Sequence, residues 1–312
     1  MDYTIFYKEY FDNGDISNTP DYDLFLSSFD NCNRTLELFK RVKSTQKKWF
    51  IFPQYKHKKN EHQTLPAENV YHNQSLKESE FFESFIRDFS DNDYKSCKIC
   101  IDITGFIRPH LIYLLRYLSG SGVSQVDLLY TEPSKYENAD ETKFSGFIDS
   151  IQDVEGCSSI NNNPNTDKDL LIICAGYDDN LIAKIAHDKK HCGQKYYILG
   201  FPSLQPDMYQ ESILKIENAK GSMGESKIFK FAPAYDPFVT AQIINEIVED
   251  NPDATNIYLS PLSTKPQTVG MALFYINNYK TRPISIVFPY SNTYKAKHAE
   301  GIKRTWKYTI EF

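Results

Sequence analysis

Two loops of this chain carry polar side chains suited to binding a phosphate group or a nucleobase, each just before an apolar, helix-like segment. Residues 102–109 combine a carboxylate, a hydroxyl, a glycine and a guanidinium, whereas residues 260–267 combine three hydroxyls and an ammonium. Hydroxyls and amides at a helix start, with one cation and no carboxylate cluster for Mg²⁺, suit a phosphate or the edge of a base. The candidate ligand-binding residues are Asp102, Thr104, Gly105 and Arg108 in the first loop, and Ser260, Ser263, Thr264 and Lys265 in the second.

The same residue types also have a purely structural interpretation. Ser, Thr and Asp are the usual N-caps of helices, and proline is common in the first turn, as Pro109 and Pro266 would be. Capping needs no ligand and is the simpler interpretation of each loop alone, whereas the recurrence of the pattern gives the two interpretations equal weight. In that case Arg108 and Lys265 would hold phosphate, and Asp102 would orient a ribose or a base.

Two further segments offer weaker candidates. Gly176, Tyr177 and Asp178 follow an apolar run, and Asp178 could bind a ribose hydroxyl or cap the next helix. Glu132 and Tyr290 stand near the ends of two other apolar runs and could face the same cleft.

Sequence signatures of the common enzymes are absent: the chain has no Gly-x-Gly-x-x-Gly after its first strand, no P-loop, no His-Glu-x-x-His and no Gly-x-Ser-x-Gly. His110, His187 and His191 lie in or beside helix-like segments, where a single histidine is more often a surface or packing residue than a general base. No catalytic residue is assigned, and whether the protein is an enzyme stays open. Cys97 and Cys100 lack a second pair of ligands nearby, so we predict no metal site, and we predict no cofactor.

Short, nearly continuous apolar runs precede these loops. The runs at residues 99–103, 169–174 and 284–288 are typical of strands that are covered on both faces, as in a parallel sheet. Between such runs lie segments with apolar residues at three- and four-residue spacing, such as 111–118 and 269–276. This alternation predicts an α/β fold built from right-handed βαβ crossovers, with any ligand beyond the carboxyl ends of the strands.

The order of these elements occurs twice along the chain. An apolar run that ends in aromatic-Asp-polar at residues 23–31 returns at residues 171–179. Each is followed by a helix-like segment and by an apolar run closed by proline, at 49–53 and 196–202. The two candidate loops then fall at equivalent positions. We interpret this as duplication of an α/β unit, and we expect two tandem Rossmann-like units related by a pseudo-twofold axis, with a ligand between them.

The boundaries follow from a break in the pattern. Residues 156–167 are polar, rich in turn formers and without periodicity, so they are interpreted as a linker. The first unit is then predicted at residues 1–155 and the second at residues 168–312. Units of this size can each bury a core.

Composition restricts the class of partner. The net charge of -6 argues against nonspecific binding of duplex nucleic acid, although a local basic pocket could hold a small phosphorylated ligand. No apolar run reaches the roughly 18 residues that suggest a spanning helix, so no contact with a membrane is predicted. The N-terminus lacks a basic segment followed by an apolar one, and six scattered cysteines suggest reduced thiols, so we predict a cytoplasmic protein.

Residues 259–274 are predicted to form a strand, a Ser/Thr-rich turn with a following lysine, and an apolar helix. This segment and its counterpart at residues 102–118 resemble the CARF and SAVED domains. These domains are Rossmann-like ligand sensors of prokaryotic antiviral defence. Their familiar turn has glycines before Thr-Lys, whereas Leu262 and Ser263 stand there in this chain. The resemblance implies binding of a cyclic or linear oligonucleotide messenger, with the effector activity on a protein partner. The alternatives are an enzyme acting on a nucleotide or sugar phosphate in the same cleft, and a non-catalytic interaction subunit.

Overall fold

In a computed structural model the chain forms two compact α/β units. One contains Met1–Ile5 and Thr142–Ser291, and the other contains Phe6–Glu141 and Asn292–Phe312. We name them after their main sheets the six-stranded unit and the seven-stranded unit. The structure describes residues 1–58, 61, 65, 67–136, 148–205, 208–218, 227–294 and 299–312.

The strands and helices are numbered along the chain. The strands are β1 (Lys8–Asp12), β2 (Tyr22–Ser28), β3 (Ser44–Ile51), β4 (Val70–His72), β5 (Ile99–Asp102), β6 (Gln125–Glu132), β7 (Lys135–Tyr136), β8 (Ile148–Asp153), β9 (Leu170–Ala175), β10 (Gln194–Gly200), β11 (Lys227–Ala232), β12 (Ile257–Pro261), β13 (Ile284–Ser291), β14 (Ala299–Glu300) and β15 (Arg304–Glu311). The helices are α1 (Asn33–Arg41), α2 (Glu78–Phe81), α3 (Glu83–Asp91), α4 (Arg108–Gly120), α5 (Asp179–Asp188), α6 (Met208–Asn218), α7 (Pro237–Asp250) and α8 (Lys265–Asn278).

The two main sheets share one strand order. The parallel strands run β4-β3-β2-β5-β6 in the seven-stranded sheet and β11-β10-β9-β12-β13 in the six-stranded sheet. Counted along the chain within each unit, both orders are 3-2-1-4-5, as in the Rossmann fold. An antiparallel strand follows the fifth position in each sheet, β15 in one and β8 in the other. The predicted α/β class, with two Rossmann-like units and mostly parallel sheets, is therefore confirmed.

The apolar runs form the central strands for the expected reason. Every residue of Ile99–Asp102 and of Leu170–Ala175 is buried, because these strands lie inside the sheet and are covered on both faces. The helix starts after β5 and β12 also correspond. Arg108 and Lys265 are each the first residue of their helix, and each is followed by a proline.

The boundaries of the units differ from the predicted division at residues 1–155, 156–167 and 168–312. Strand β8 pairs with β13, and β15 lies between β1 and β6, so each unit takes an antiparallel strand from beyond the predicted limits. Residues 156–167 also pack onto the six-stranded unit: Ile286 N donates to Cys157 O (3.0 Å), and Asn163 N donates to Asn256 Oδ1 (2.8 Å). The polarity that suggested a linker instead supplies the hydrogen bonds of a docked loop.

The helices of the described residues are short. The two longest, α7 and α8, have 14 residues each. Within the described ranges, none combines the length and the apolar composition needed to cross a bilayer.

Candidate functional site

The seven-stranded sheet contains a topological switch point. From β2 the chain passes through α1 to β3 on one side, whereas from β5 it passes through α4 to β6 on the other side. Because β2 and β5 are neighbours, the loops after them diverge at the carboxyl edge, where ligands bind in open α/β sheets. We call this region the β2–β5 crevice and define it by Ser27, Ser28, Asp30, Asp102, Thr104 and Gly105.

Asp102 forms the floor of the β2–β5 crevice. Its side chain is fully buried, and its two oxygens accept hydrogen bonds from Ser27 Oγ (3.0 Å) and from Thr104 N (3.0 Å). Burial raises the pKa of Asp102 to about 6, and the hydrogen bonds from Thr104 and Ser27 partly oppose that rise. A carboxyl group that titrates near neutral pH can both accept and donate hydrogen bonds to a ligand.

Asp102→Asn should change how stability depends on pH. The native carboxyl binds a proton between pH 3.8 and 6, where the unfolded chain does not, so wild-type stability falls as pH rises through that window. The variant lacks this loss. We therefore compare the free energy of unfolding of the variant with that of the wild type. The difference, variant minus wild type, should be about 2 kcal/mol larger at pH 8 than at pH 4.

Urea denaturation followed by tryptophan fluorescence measures this difference, because both tryptophans, Trp49 and Trp306, lie in the seven-stranded unit. Asp91→Asn, which removes an exposed carboxylate from α3, is the control and should show no such gain. An equal difference between Asp102→Asn and wild type at pH 4 and pH 8 would contradict the assigned burial effect.

Gly105 brings the two loops of the crevice together. A Cβ at this position would lie 2.8 Å from Ser28 O and 3.2 Å from Asp30 Cγ. The Gly105 carbonyl accepts hydrogen bonds from Ser28 Oγ (2.9 Å) and from Tyr55 OH (2.7 Å). A side chain at Gly105 would therefore push the loops apart.

Asp30 organises the entry to α1. Its Oδ1 accepts from Thr35 Oγ1 (2.5 Å) and from Cys32 N (3.1 Å), and Cys32 Sγ donates to Oδ2 (3.1 Å). Burial, together with the Asp30 charge, raises the pKa of Cys32 to about 11. Cys32 is therefore a protonated thiol at neutral pH and a poor nucleophile.

Two arginines flank the crevice, one on each helix. Arg34 lies in the first turn of α1, and its Nη1 donates to Thr131 O (3.0 Å) at the end of β6. Arg108 opens α4 and is half-buried. Burial raises the pKa of Tyr55, the Asp30 charge adds to that rise, and the Arg108 charge opposes it. The Asp30 and Arg108 charges therefore act in opposite directions on the Tyr55 hydroxyl.

The helix starts distinguish the two switch points. Within the part of the chain that the structure describes, neither the cap residue of α1, Cys32, nor that of α4, Ile107, makes a side-chain capping hydrogen bond. In the six-stranded unit, Asp178 caps α5 by accepting from Leu181 N (3.3 Å), and Thr264 caps α8. Because helix N-termini attract anions, the two starts beside the β2–β5 crevice are the better place for one.

At the equivalent edge of the six-stranded unit, the loops after β9 and β12 also approach each other closely. A Cβ on Gly176 would overlap Leu262 O, and Leu262 N donates to Cys174 O (3.0 Å). The hydroxyl of Thr264 accepts from Gln267 N (3.3 Å) and donates to Ala234 O (2.5 Å). The capping interpretation therefore accounts for Asp178 and Thr264.

The sequence-predicted residues fall into two groups that belong to different units. At the carboxyl edge of the seven-stranded sheet lie Asp102, Thr104, Gly105 and Arg108. At that of the six-stranded sheet lie Gly176, Tyr177, Asp178, Ser263, Thr264 and Lys265. Ser260 is buried inside β12, where its Oγ has no hydrogen-bond partner among the residues that the structure describes.

Glu132 has partners within its own unit. Its Oε1 accepts from Trp306 Nε1 (2.6 Å), and Lys303 Nζ lies 3.8 Å from its Oε2. These contacts join β6 to β15 and explain the burial of the carboxylate without a ligand.

Sequence reasoning missed Ser27, Ser28 and Asp30 in the crevice, and it missed Arg34 and Tyr55 beside the crevice. Asp30 carried a usable signal, because it occupies in the repeat the position of Asp178, which was selected. Arg34 and Tyr55 carried none. They reach the crevice through the fold, since Arg34 bonds a residue 97 positions away and Tyr55 one that is 50 positions away.

Comparison with known proteins adds little to this description. No protein-family model matches the chain, and no curated protein matches it. Among solved structures it is similar to a ketoreductase domain from the bacillaene assembly line, with 9% identity and a TM-score of 0.24, over 89% of this chain and 71% of that chain. A likeness of this size carries no argument, so the Rossmann-like description rests on the strand order.

Proposed function

We propose that this chain binds a nucleotide-like, phosphorylated ligand in the β2–β5 crevice. The observation that carries the proposal is that two helix starts, neither with a capping side chain among the described residues, and an arginine from each helix meet at one switch point. In Rossmann-like sheets this is the usual position of a ligand.

Each crevice residue has a role suited to such a ligand. Arg108 and Arg34 would pair with phosphate oxygens, adding charge to the amides of the two helix starts. The Thr104 hydroxyl would hydrogen-bond a phosphate or a base edge. Asp102, with its pKa near 6, would accept a hydrogen bond from a ribose hydroxyl or donate one to a base. Lys265, the counterpart of Arg108, belongs to the six-stranded unit and is not assigned to this site.

The resemblance to CARF and SAVED domains supports a cyclic oligonucleotide as the first ligand to test. On this proposal the chain is a sensor, and a protein partner carries the effector activity. The rival functions are turnover of a nucleotide or sugar phosphate and a purely structural role.

The first experiment is mass spectrometry of small molecules released from the purified protein, followed by calorimetric titration with nucleotides and cyclic oligonucleotides. Arg108→Ala is expected to weaken binding about 10- to 100-fold, because it removes a hydrogen bond between charged groups. Arg87→Ala is the matched control. Its guanidinium is exposed on α3 and pairs only at the surface with Glu83 (3.1 Å), so ligand affinity should not change.

The outcomes separate the rival functions. Chemical change of the bound ligand during incubation would favour an enzyme over a sensor. A loss of affinity in Lys265→Ala as large as that in Arg108→Ala would contradict a site confined to the β2–β5 crevice. No released ligand and no binding across the panel, or equal affinities of Arg108→Ala and Arg87→Ala, would overturn the proposal.

A further inference from the structure

The amino edge of the six-stranded sheet carries a cluster of metal-binding residue types outside the site described above. Asp169 directly precedes β9, and His191 and Cys192 precede β10, so the pairing of these strands brings the three side chains together. Their ligand atoms all lie within 4.8 Å of one another. This amino edge is at the opposite end of the strands from the loops that follow β9 and β12.

The geometry of the cluster fits a tetrahedral ion. His191 Nε2 lies 3.2 Å from Asp169 Oδ2. Two ligands each about 2.0–2.1 Å from a tetrahedral zinc ion lie about 3.3 Å apart, so this pair is already at the required spacing. The Cys192 sulfur lies within 4.8 Å of both other ligand atoms, and a Zn–S bond of about 2.3 Å would bring it to about 3.6 Å from each.

Asp169 is held in position by hydrogen bonds to its other oxygen. Oδ1 accepts from Thr255 Oγ1 (2.7 Å), Asn256 N (3.1 Å) and Asn256 Nδ2 (2.7 Å). Oδ2 is thereby directed at His191 in a fully buried carboxylate. Bonds of this kind orient the ligands of known metal sites and add to metal affinity.

We propose that Asp169, His191 and Cys192 bind a zinc ion through one oxygen, one nitrogen and one sulfur atom, leaving a fourth position open. Thiolate and imidazole ligands together select zinc over Mg²⁺ and Ca²⁺. Asp169 and Cys192 are buried, whereas 39% of the His191 side chain is exposed, which gives the ion a route of entry.

A pocket of about 430 Å³ adjoins one member of the cluster. Asp169 contributes to its lining, as does Gly193, the residue after Cys192. Three protein ligands with an accessible fourth position are the arrangement of zinc sites that hold a water molecule or a small anion.

Two cations lie near the cluster. Lys195 Nζ donates to Cys192 O (3.3 Å), and Lys189 Nζ lies 3.1 Å from Asp188 Oδ2. Both positive charges oppose binding of a cation, although Asp188 partly neutralises that of Lys189. Binding also releases the proton of the Cys192 thiol to solvent, so zinc affinity should rise with pH.

The test uses the full chain, freed of metal with a chelator and titrated with Zn²⁺ against a chromophoric competitor. One zinc ion per chain is expected. Cys192→Ser and His191→Ala should each weaken zinc binding at least about 100-fold, since loss of an outer partner alone costs about 10- to 100-fold. His187→Ala removes an exposed histidine from α5, and Cys97→Ser removes a cysteine of the seven-stranded unit. Both should bind zinc as wild type does.

Cobalt provides a second readout. Co²⁺ bound by Cys192 should give a thiolate-to-metal charge-transfer band that is absent from Cys192→Ser. Because the His191 side chain is partly exposed, His191→Ala should keep its circular dichroism spectrum, so loss of zinc binding in that variant cannot be attributed to unfolding. Absence of zinc binding, or zinc affinity that is unchanged in both ligand variants, would overturn the proposal.

Discussion

The free energy of unfolding of His110→Leu, relative to that of the wild-type protein, is expected to be about 3 kcal/mol larger at pH 4.5 than at pH 8. The His110 ring is buried among Phe52, Phe81 and Phe82, with ring centroids 4.8 Å, 5.3 Å and 6.0 Å away. Neither ring nitrogen has a hydrogen-bond partner among the described residues, and Glu78 Oε1, 3.9 Å from Nδ1, is beyond hydrogen-bond reach. Burial therefore lowers the pKa of His110 from 6.5 to about 3.

The sign follows from proton binding. Between pH 6.5 and 3 the unfolded chain binds a proton at His110 that the native protein does not, so wild-type stability is lost as pH falls through this window. Two pH units below 6.5 correspond to about 2.7 kcal/mol. Asp102 acts in the opposite direction between pH 6 and 3.8, but it is present in both proteins and cancels in the comparison.

The measurement is urea denaturation at a series of pH values, followed by the fluorescence of Trp49 and Trp306. His72→Gln is the control, because His72 is exposed and its loss should leave the pH dependence as in the wild type. The same pH dependence in His110→Leu and wild type would refute the assignment of a buried, neutral histidine.

Gly176→Ala is expected to destabilise the six-stranded unit by about 3 kcal/mol. The new methyl group would overlap Leu262 O, a backbone atom held in place because Leu262 N donates to Cys174 O. Relief of the overlap requires the loop after β12 to move away from β9. Since Thr264 in that loop caps α8, the displacement would also disturb the helix start.

The matched control is Gly193→Ala, in the same unit. Its Cβ would lie 3.4 Å from Asp167 O, an ordinary contact, so we expect a change of no more than about 1 kcal/mol. Thermal unfolding followed by far-ultraviolet circular dichroism compares the two variants. Equal melting temperatures would mean that the loop after β12 yields easily and that Gly176 is not required.

Part of the candidate site could be predicted from the sequence. Asp102, Thr104, Gly105 and Arg108 were found because their loop lies between a strand and a helix that local patterns define. The capping alternative was also visible at that stage, and it describes what Asp178 and Thr264 do. What capping left undecided was which loops remain available to a ligand. That depended on which helix starts lack a capping side chain among the described residues, and the strands that bring those starts together are not encoded by any local pattern.

The partners of the buried polar atoms could not be predicted. Ser27 meets Asp102 across 75 positions of sequence, and Asp169 meets Asn256 across 87 positions. Such contacts depend on which strands become neighbours. For the same reason the Asp169, His191 and Cys192 cluster was invisible in the sequence, where its first member stands apart from the other two.

By itself, the sequence determined the elements, their order and their duplication, because apolar periodicity and turn residues act within a few positions of the chain. Only the tertiary structure decided where the last strand belongs. The alternating pattern of β15 would suit an edge of either sheet, but it lies between β1 and β6, where its main-chain groups are paired on both sides. Strand pairing is a long-range choice made by hydrogen bonding and burial together, and it also fixed which polar side chains meet at each edge of the sheets.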